Sequence, residues 1–165
     1  MDISFVVENE KFNYRVCGII ISNGKILAMH NERSPYYFLP GGRVKMGETA
    51  EKAIIREIKE ELDITPTIVR PLWLHQSFFK EEIDHLNYHE LCIYFLLDIS
   101  NTNILINGDK FTRIEHEHKH VFELVEFSRL KDEYFYPLFL KEKIYDLPQS
   151  LTLLTTYESK GSCNV

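Results

Sequence analysis

The sequence predicts an α/β domain in which a mixed β-sheet is covered by helices on its faces. Apolar, β-branched runs of strand length recur along the chain. One long segment in the middle, Ala50 to Leu62, has helical spacing, and shorter helical segments gather near the end. At 165 residues, with no repeat or linker-like segment, the chain reads as a single domain over 1–165.

The elements follow in order. Tyr14 to Ser22 is β-branched and apolar, and Asn23-Gly24 separates it from a second apolar run, Lys25 to Asn31. Asn-Gly between two such runs predicts a tight hairpin, because both turn positions need positive φ. Tyr36 to Pro40 reads as a short strand stopped by the proline and Gly41-Gly42. Thr49 stands where a helix N-cap belongs, ahead of Ala50 to Leu62. Two β-rich runs follow, 67–79 and 86–99; 101–117 is polar and reads as loop; His120 to Phe127 is a further strand. Ser128 to Asp132 reads as a short helix, and Pro137 to Tyr145 as another with proline in its first turn.

Composition narrows the function classes. A net charge of −6 and a pI near 5.6 argue against a large basic surface for duplex nucleic acid. A small nucleotide held through metal ions stays open, since a metal brings its own positive charge. No apolar run reaches the ~20 residues of a membrane span, and the N-terminus lacks a signal-peptide pattern. Cys17, Cys92 and Cys163 are three and widely spaced, which suits reduced thiols in a cytoplasmic protein.

The middle helix carries the chemistry. On a helical wheel Ile54, Ile55, Ile58 and Leu62 form the core stripe, Lys52, Arg56 and Lys59 lie opposite, and Glu57, Glu60 and Glu61 occupy an arc between them. Glutamate-rich helix faces are usually just solvated. Here Glu57 and Glu61 are like charges at i and i+4, none of the three has a cation four residues on, and they gather at the end where the helix dipole disfavours them. A divalent cation with oxygen ligands would resolve that conflict.

Gly42, then five residues, Glu48, seven residues, Arg56-Glu57-Ile58, one residue and Glu60-Glu61 resembles the Nudix box, G-x5-E-x7-R-E-U-x-E-E-x-G-U, over 42–64. The single departure is Asp63, where the family has glycine; aspartate tolerates the left-handed conformation that a helix C-cap needs. The resemblance implies the Nudix fold, an α/β/α sandwich with the box as loop, helix and loop. It implies hydrolysis of a diphosphate linked to another moiety, with Mg²⁺ or Mn²⁺ as cofactor. Carried over residue by residue, Glu57, Glu60 and Glu61 look like metal ligands, Glu48 like an outer or bridging carboxylate, and Arg56 like the group that orients Glu57. Gly41 and Gly42 would let the loop backbone approach the phosphates.

Outside the box the expectations thin. Glu57 or Glu60 could take the proton from the attacking water; Glu115 and Glu117 could do so from a loop, with Glu117 preferred. His116, His118 and His120 alternate without zinc-ligand spacing and read as solvated. Arg33 and Arg43 could meet phosphate, and Tyr36 heads a set of aromatics (Tyr37, Phe38, Trp73, Phe78, Phe79) that could stack on a nucleobase or simply be core. The expected partner is a small nucleotide substrate: a nucleoside triphosphate, ADP-ribose or a nucleotide sugar. Removal of pyrophosphate from an RNA 5′ end and a non-catalytic nucleotide sensor are the alternatives. A homodimer is the assembly the resemblance suggests.

Overall fold

The computed structural model describes residues 1–158; Cys163 lies outside them. Ten strands, β1 (Ser4–Val7), β2 (Glu10–Ser22), β3 (Lys25–Asn31), β4 (Ser34–Phe38), β5 (Gly41–Arg43), β6 (Thr67–Lys80), β7 (Asn87–Asp98), β8 (Lys110–Glu115), β9 (His118–Glu126) and β10 (Thr152–Glu158), accompany two helices, α1 (Ala50–Leu62) and α2 (Leu140–Lys143). The strand order is β10-β6-β7-β2-β3-β9-β8, with β1 and β5 also on β2 and β4 on β3. β2 runs parallel to β7 and antiparallel to β1, β3 and β5, so the sheet is mixed.

Period-2 alternation along the central strands builds two cores, one on each face. Val16, Ile20, Leu27, Met29, Phe95 and Phe122 meet Ile54, Ile58 and Leu62 of α1. On the other face Cys17, Ile19, Ile26 and Val125 meet Leu130, Phe135, Leu140 and Ile144 from the C-terminal segment. This is the α/β/α arrangement expected of the sequence. Among the described residues no helix is long and apolar enough to cross a membrane.

The hairpin forms as read: Asn23 and Gly24 both take positive φ, and Ile21 pairs with Ile26. Thr49 caps α1 by accepting from the Lys52 N–H, and Asp63 ends it in the left-handed conformation, its side chain held by Lys59. Three readings change. The stretch 101–117 contains a 3₁₀ turn (Ile104–Asn107) and β8, whose Phe111 stacks on Phe122 at 5.4 Å. The two apolar residues of β8, Phe111 and the exposed Ile114, are three apart and so break the alternation that would mark a strand in sequence. Ser128 to Asp132 is not a helix of its own: a 3₁₀ turn spans Phe127–Arg129. The helix expected over 137–145 contracts to Leu140–Lys143, because Leu140, Lys141 and Glu142 donate to carbonyls three residues back rather than four. β1 and β10 are edge additions.

His75 on β6 is buried and meets Thr156 Oγ1 at 2.8 Å; burial pushes its pKa down to about 4. A histidine kept neutral in the fold but protonated at its ordinary 6.5 when unfolded removes stability as pH falls from 6.5 towards 4. Melting temperatures of His75→Gln should fall less over that window than those of the wild type, because glutamine can keep a bond to Thr156 without titrating.

Candidate active site

The site grows from the junction of β5 and α1. β5 is held against β2 through Val16↔Gly42 and Cys17↔Gly41, which brings the glycine pair beneath α1. A Cβ on Gly42 would fall inside the Glu57 carboxylate, so only glycine leaves that side chain where it is. Gly41 donates its N–H to Glu61 Oε2 at 3.1 Å. The loop after β5 then doubles back: Lys45 N–H donates to Glu48 Oε2 at 3.0 Å, and Glu48 reaches the helix.

Arg56 binds these pieces together. Its Nε and Nη2 grip Glu48 at 2.8 and 3.0 Å, Nη1 meets Glu57 Oε1 at 2.6 Å and Glu60 Oε2 at 3.4 Å, and Nη2 also donates to the Arg43 carbonyl at 3.0 Å. A planar guanidinium can do this; a lysine could not. Its hydrogen bond to Glu48 is the main cause holding that carboxyl down at about 2, against the opposing effect of burial.

The three helix glutamates are not equivalent. Glu60 is exposed and shares Arg56. Glu57 is part-buried, and burial raises its pKa despite Arg56, with Glu60 and Glu115 adding to the rise. Glu61 is only 8% exposed, and its one hydrogen bond is from the Gly41 N–H. Burial first, then the charges of Glu115 and Glu57, push it well above the ordinary carboxylate range. A buried carboxylate among like charges without a cation is a costly arrangement. Glu57, Glu60 and Glu61 offer hard oxygen donors alone, the set that suits Mg²⁺ or Mn²⁺ and not a soft metal. Among the described residues no three His, Cys, Asp or Glu side chains are already drawn together around a common point. The residues fit a divalent cation by donor chemistry and by the buried charge of Glu61, which Arg56 does not reach.

Glu115, at the end of β8, is the carboxylate outside the box whose charge is felt at both Glu57 and Glu61. Glu117 is not brought in: it sits exposed in the tight turn His116-Glu117, where both residues have positive φ. Glu115 is the last, half-buried residue of β8 and Glu117 lies exposed in the turn, a difference that alternation counted through a loop could not reveal. His120 lies 3.5 Å from Glu115, and His118 meets Arg33 at 3.0 Å. Tyr36 stands edge-on to Phe38, Tyr134 and Tyr136 rather than stacked on any of them. Arg43 pairs with Asp2 at 3.6 Å. Trp73 is core, packed on Phe139. Arg15 is not marked by any motif in the sequence: it lies inside an apolar strand, and its part-buried guanidinium has an Nε without any hydrogen-bond partner.

Comparison with known proteins agrees with this geometry. The family model described as NUDIX domain matches residues 12–142. An ADP-ribose pyrophosphatase of Methanocaldococcus jannaschii is 37% identical over 97 residues, 57% of this chain and 55% of that protein. An RNA pyrophosphohydrolase of Baumannia cicadellinicola is 35% identical over 78 residues, 46% of this chain and 49% of that protein. The chain thus spans about half the length of these curated relatives. Among solved structures, a MutT protein from Bacillus halodurans superposes with a TM-score of 0.68 at 15% identity, covering 90% of this chain and 91% of that one, a likeness of fold. With the family model matching most of the chain and the box carboxylates gathered at the β5–α1 junction, the protein belongs to the NUDIX domain family.

Proposed function

We propose that this protein is a divalent-metal-dependent hydrolase that cleaves the diphosphate linkage of a nucleoside diphosphate derivative, of the nucleoside triphosphate, ADP-ribose or nucleotide sugar type. The observation that carries the reading is Glu61, a buried carboxylate beside Glu57 and Glu115 with no cation to neutralise it. Bound Mg²⁺ or Mn²⁺ would supply charge neutralisation at the diphosphate and a more acidic water.

The chain's own groups divide the work. Glu57, Glu60 and Glu61 would hold the cation, and Glu48 fixes Arg56, which in turn aims Glu57 and Glu60. Gly41 and Gly42 keep side-chain bulk away from the diphosphate. Glu115 is the group to accept the proton of the attacking water, since it borders Glu57 and Glu61 without ligating through the box itself. Tyr36 and its aromatic neighbours would receive the nucleoside. The names of the two relatives, one acting on ADP-ribose and one on RNA, support a diphosphate joined to a nucleoside.

The test is release of nucleotide and phosphate from nucleoside triphosphates, ADP-ribose, nucleotide sugars and a 5′-triphosphorylated RNA, with Mg²⁺, Mn²⁺ or chelator. Metal-dependent turnover of one class is expected. Metal-independent nucleotide binding without turnover would favour the sensor instead. In the same assay Glu115→Gln should lower kcat about 100-fold, within the usual contribution of a positioned base, while Glu117→Gln stays near wild type.

A further inference from the structure

Arg15 is the feature that the proposed chemistry leaves unexplained. It is the one charged residue in the run Tyr14–Ser22, and that run lies at the centre of the sheet. On β2 it pairs with Arg43 of β5 on one side and Cys92 of β7 on the other. Alternation places it with Cys17 and Ile19, on the sheet face opposite α1.

Two anomalies coincide there. Arg15 and Arg43 are like charges directly opposite across an antiparallel pair, an arrangement that destabilises a sheet. Arg43 has only Asp2, at 3.6 Å between two side chains that are each about 40% exposed. The Arg15 Nε is withdrawn from solvent and unpaired, and buried donors are nearly always satisfied. The carboxylate whose charge acts on Arg15 is Glu90, but it accepts from the buried Asn13 amide at 3.3 Å, and Asn13 in turn accepts from Ser4 Oγ at 2.6 Å. Glu90 acts on Arg15 through space and gives it no hydrogen bond.

The pair also sits in a telling place. Two residues further along β2, Cys17 faces Gly41, the residue whose N–H holds Glu61. Two strand residues span about 7 Å, so the arginine pair lies about that far along the sheet from Gly41. The Tyr36 hydroxyl lies close enough to feel the Arg15 charge, which connects Tyr36 and its aromatic neighbours to the same end of the sheet.

We propose that Arg15 and Arg43 together seat an oxyanion of the substrate, which makes Arg15 a specificity-determining residue for the group that lies beyond the cleaved diphosphate. A guanidinium fork suits a tetrahedral phosphate or a planar carboxylate by two parallel hydrogen bonds, and an oxyanion would neutralise the facing charges and satisfy the orphaned Nε. The inference rests on the hydrolase reading for the word substrate; the oxyanion seat itself does not.

The experiment has a binding arm and a turnover arm. In chelator, the melting temperature of the full chain is measured with and without inorganic tripolyphosphate, for wild type, Arg15→Met, Arg15→Lys and Arg43→Met. Without ligand, Arg15→Met should melt at or above the wild-type temperature, because it removes a part-buried cation whose Nε has no hydrogen-bond partner. Tripolyphosphate should raise the wild-type melting temperature by several degrees, Arg15→Met should lose that rise, and Arg43→Met and Arg15→Lys should keep part of it. In turnover, Arg15→Met should raise KM about tenfold with kcat little changed. The rise should appear for nucleoside triphosphates over ADP-ribose if the oxyanion is a phosphate. It should appear for a nucleotide sugar acid over its neutral sugar if the oxyanion is a carboxylate.

Strong destabilisation of ligand-free Arg15→Met and Arg15→Lys would assign Arg15 a structural role and overturn the proposal. So would a tripolyphosphate shift that is absent from wild type or unchanged in Arg15→Met. A wild type that shows the shift but turns over nothing would keep the oxyanion seat and reject the hydrolase reading, so the two failures are distinct.

Discussion

Glu61→Gln should abolish most hydrolysis, lowering kcat at least about 1,000-fold, while making the metal-free protein more stable. The two effects have one cause. Glutamine can still accept the Gly41 N–H, which meets Glu61 at 3.1 Å, and it fills nearly the same volume. What it removes is a negative charge in a buried position beside Glu57 and Glu115. Breaking or omitting an uncompensated buried charge is worth several kcal/mol in general, and about 1–2 kcal/mol is a fair expectation where one strong hydrogen bond remains. The pH dependence fixes the sign. The folded pKa of Glu61 lies well above its ordinary 4.5, so its favourable contribution is complete below 4.5 and is lost as pH rises through the folded value. The melting temperature of metal-free wild type relative to that of Glu61→Gln should therefore fall between pH 5 and pH 8, a difference from which the opposing effect of His75 cancels. A variant that is inactive and also less stable throughout would mean that the carboxylate is structural.

Arg56→Ala should be the most damaging single change to the fold of the loop-helix junction. It removes the partner of Glu48, Glu57 and Glu60 and the donor to the Arg43 carbonyl together. Losing one side of a buried ion pair costs 3–5 kcal/mol in general; the Arg56 side chain is 21% exposed, which brings the expectation to roughly 2 kcal/mol. Glu48 provides the internal check. Its folded pKa of about 2 lies below the ordinary value, so it contributes stability above 4.5 and loses it as pH falls towards 2. Urea unfolding at pH 7 and pH 3 should show a smaller difference in Arg56→Ala than in wild type. Arg56→Lys should recover part of the stability and little activity, because an ammonium cannot grip Glu48 with two parallel bonds while also holding Glu57.

How much of this was legible in the sequence depends on how local each interaction is. The Asn23-Gly24 hairpin, the Thr49 cap and the left-handed Asp63 are short-range and read directly from residue type. The box glutamates stood out because their spacing violates helix electrostatics, and α1 begins and ends at the expected residues. The wheel nevertheless treated Glu57, Glu60 and Glu61 alike. Only the approach of β5 makes Glu61 buried and leaves Glu60 exposed.

Long-range placement was beyond reach. Whether Glu115 or Glu117 faces the box turns on two residues at positive φ in the turn between β8 and β9. Neither residue there is glycine or asparagine, so the turn leaves little trace in composition. β8 itself has its two apolar residues three apart, and β10 is an exposed edge that pairs with β6 far away in sequence. Arg15 could have been flagged as a lone charge in an apolar run, but its meaning depends on the register that sets it against Arg43.

The most direct test of the central claim is Mn²⁺ binding, measured by titration calorimetry or by the loss of free-ion electron paramagnetic resonance signal, for wild type, Glu57→Gln and Glu61→Gln. Binding by wild type that weakens about 100-fold or more in both variants is the predicted result. Equal binding in all three, or none in wild type even with a nucleotide present, would contradict a cation site built on these glutamates.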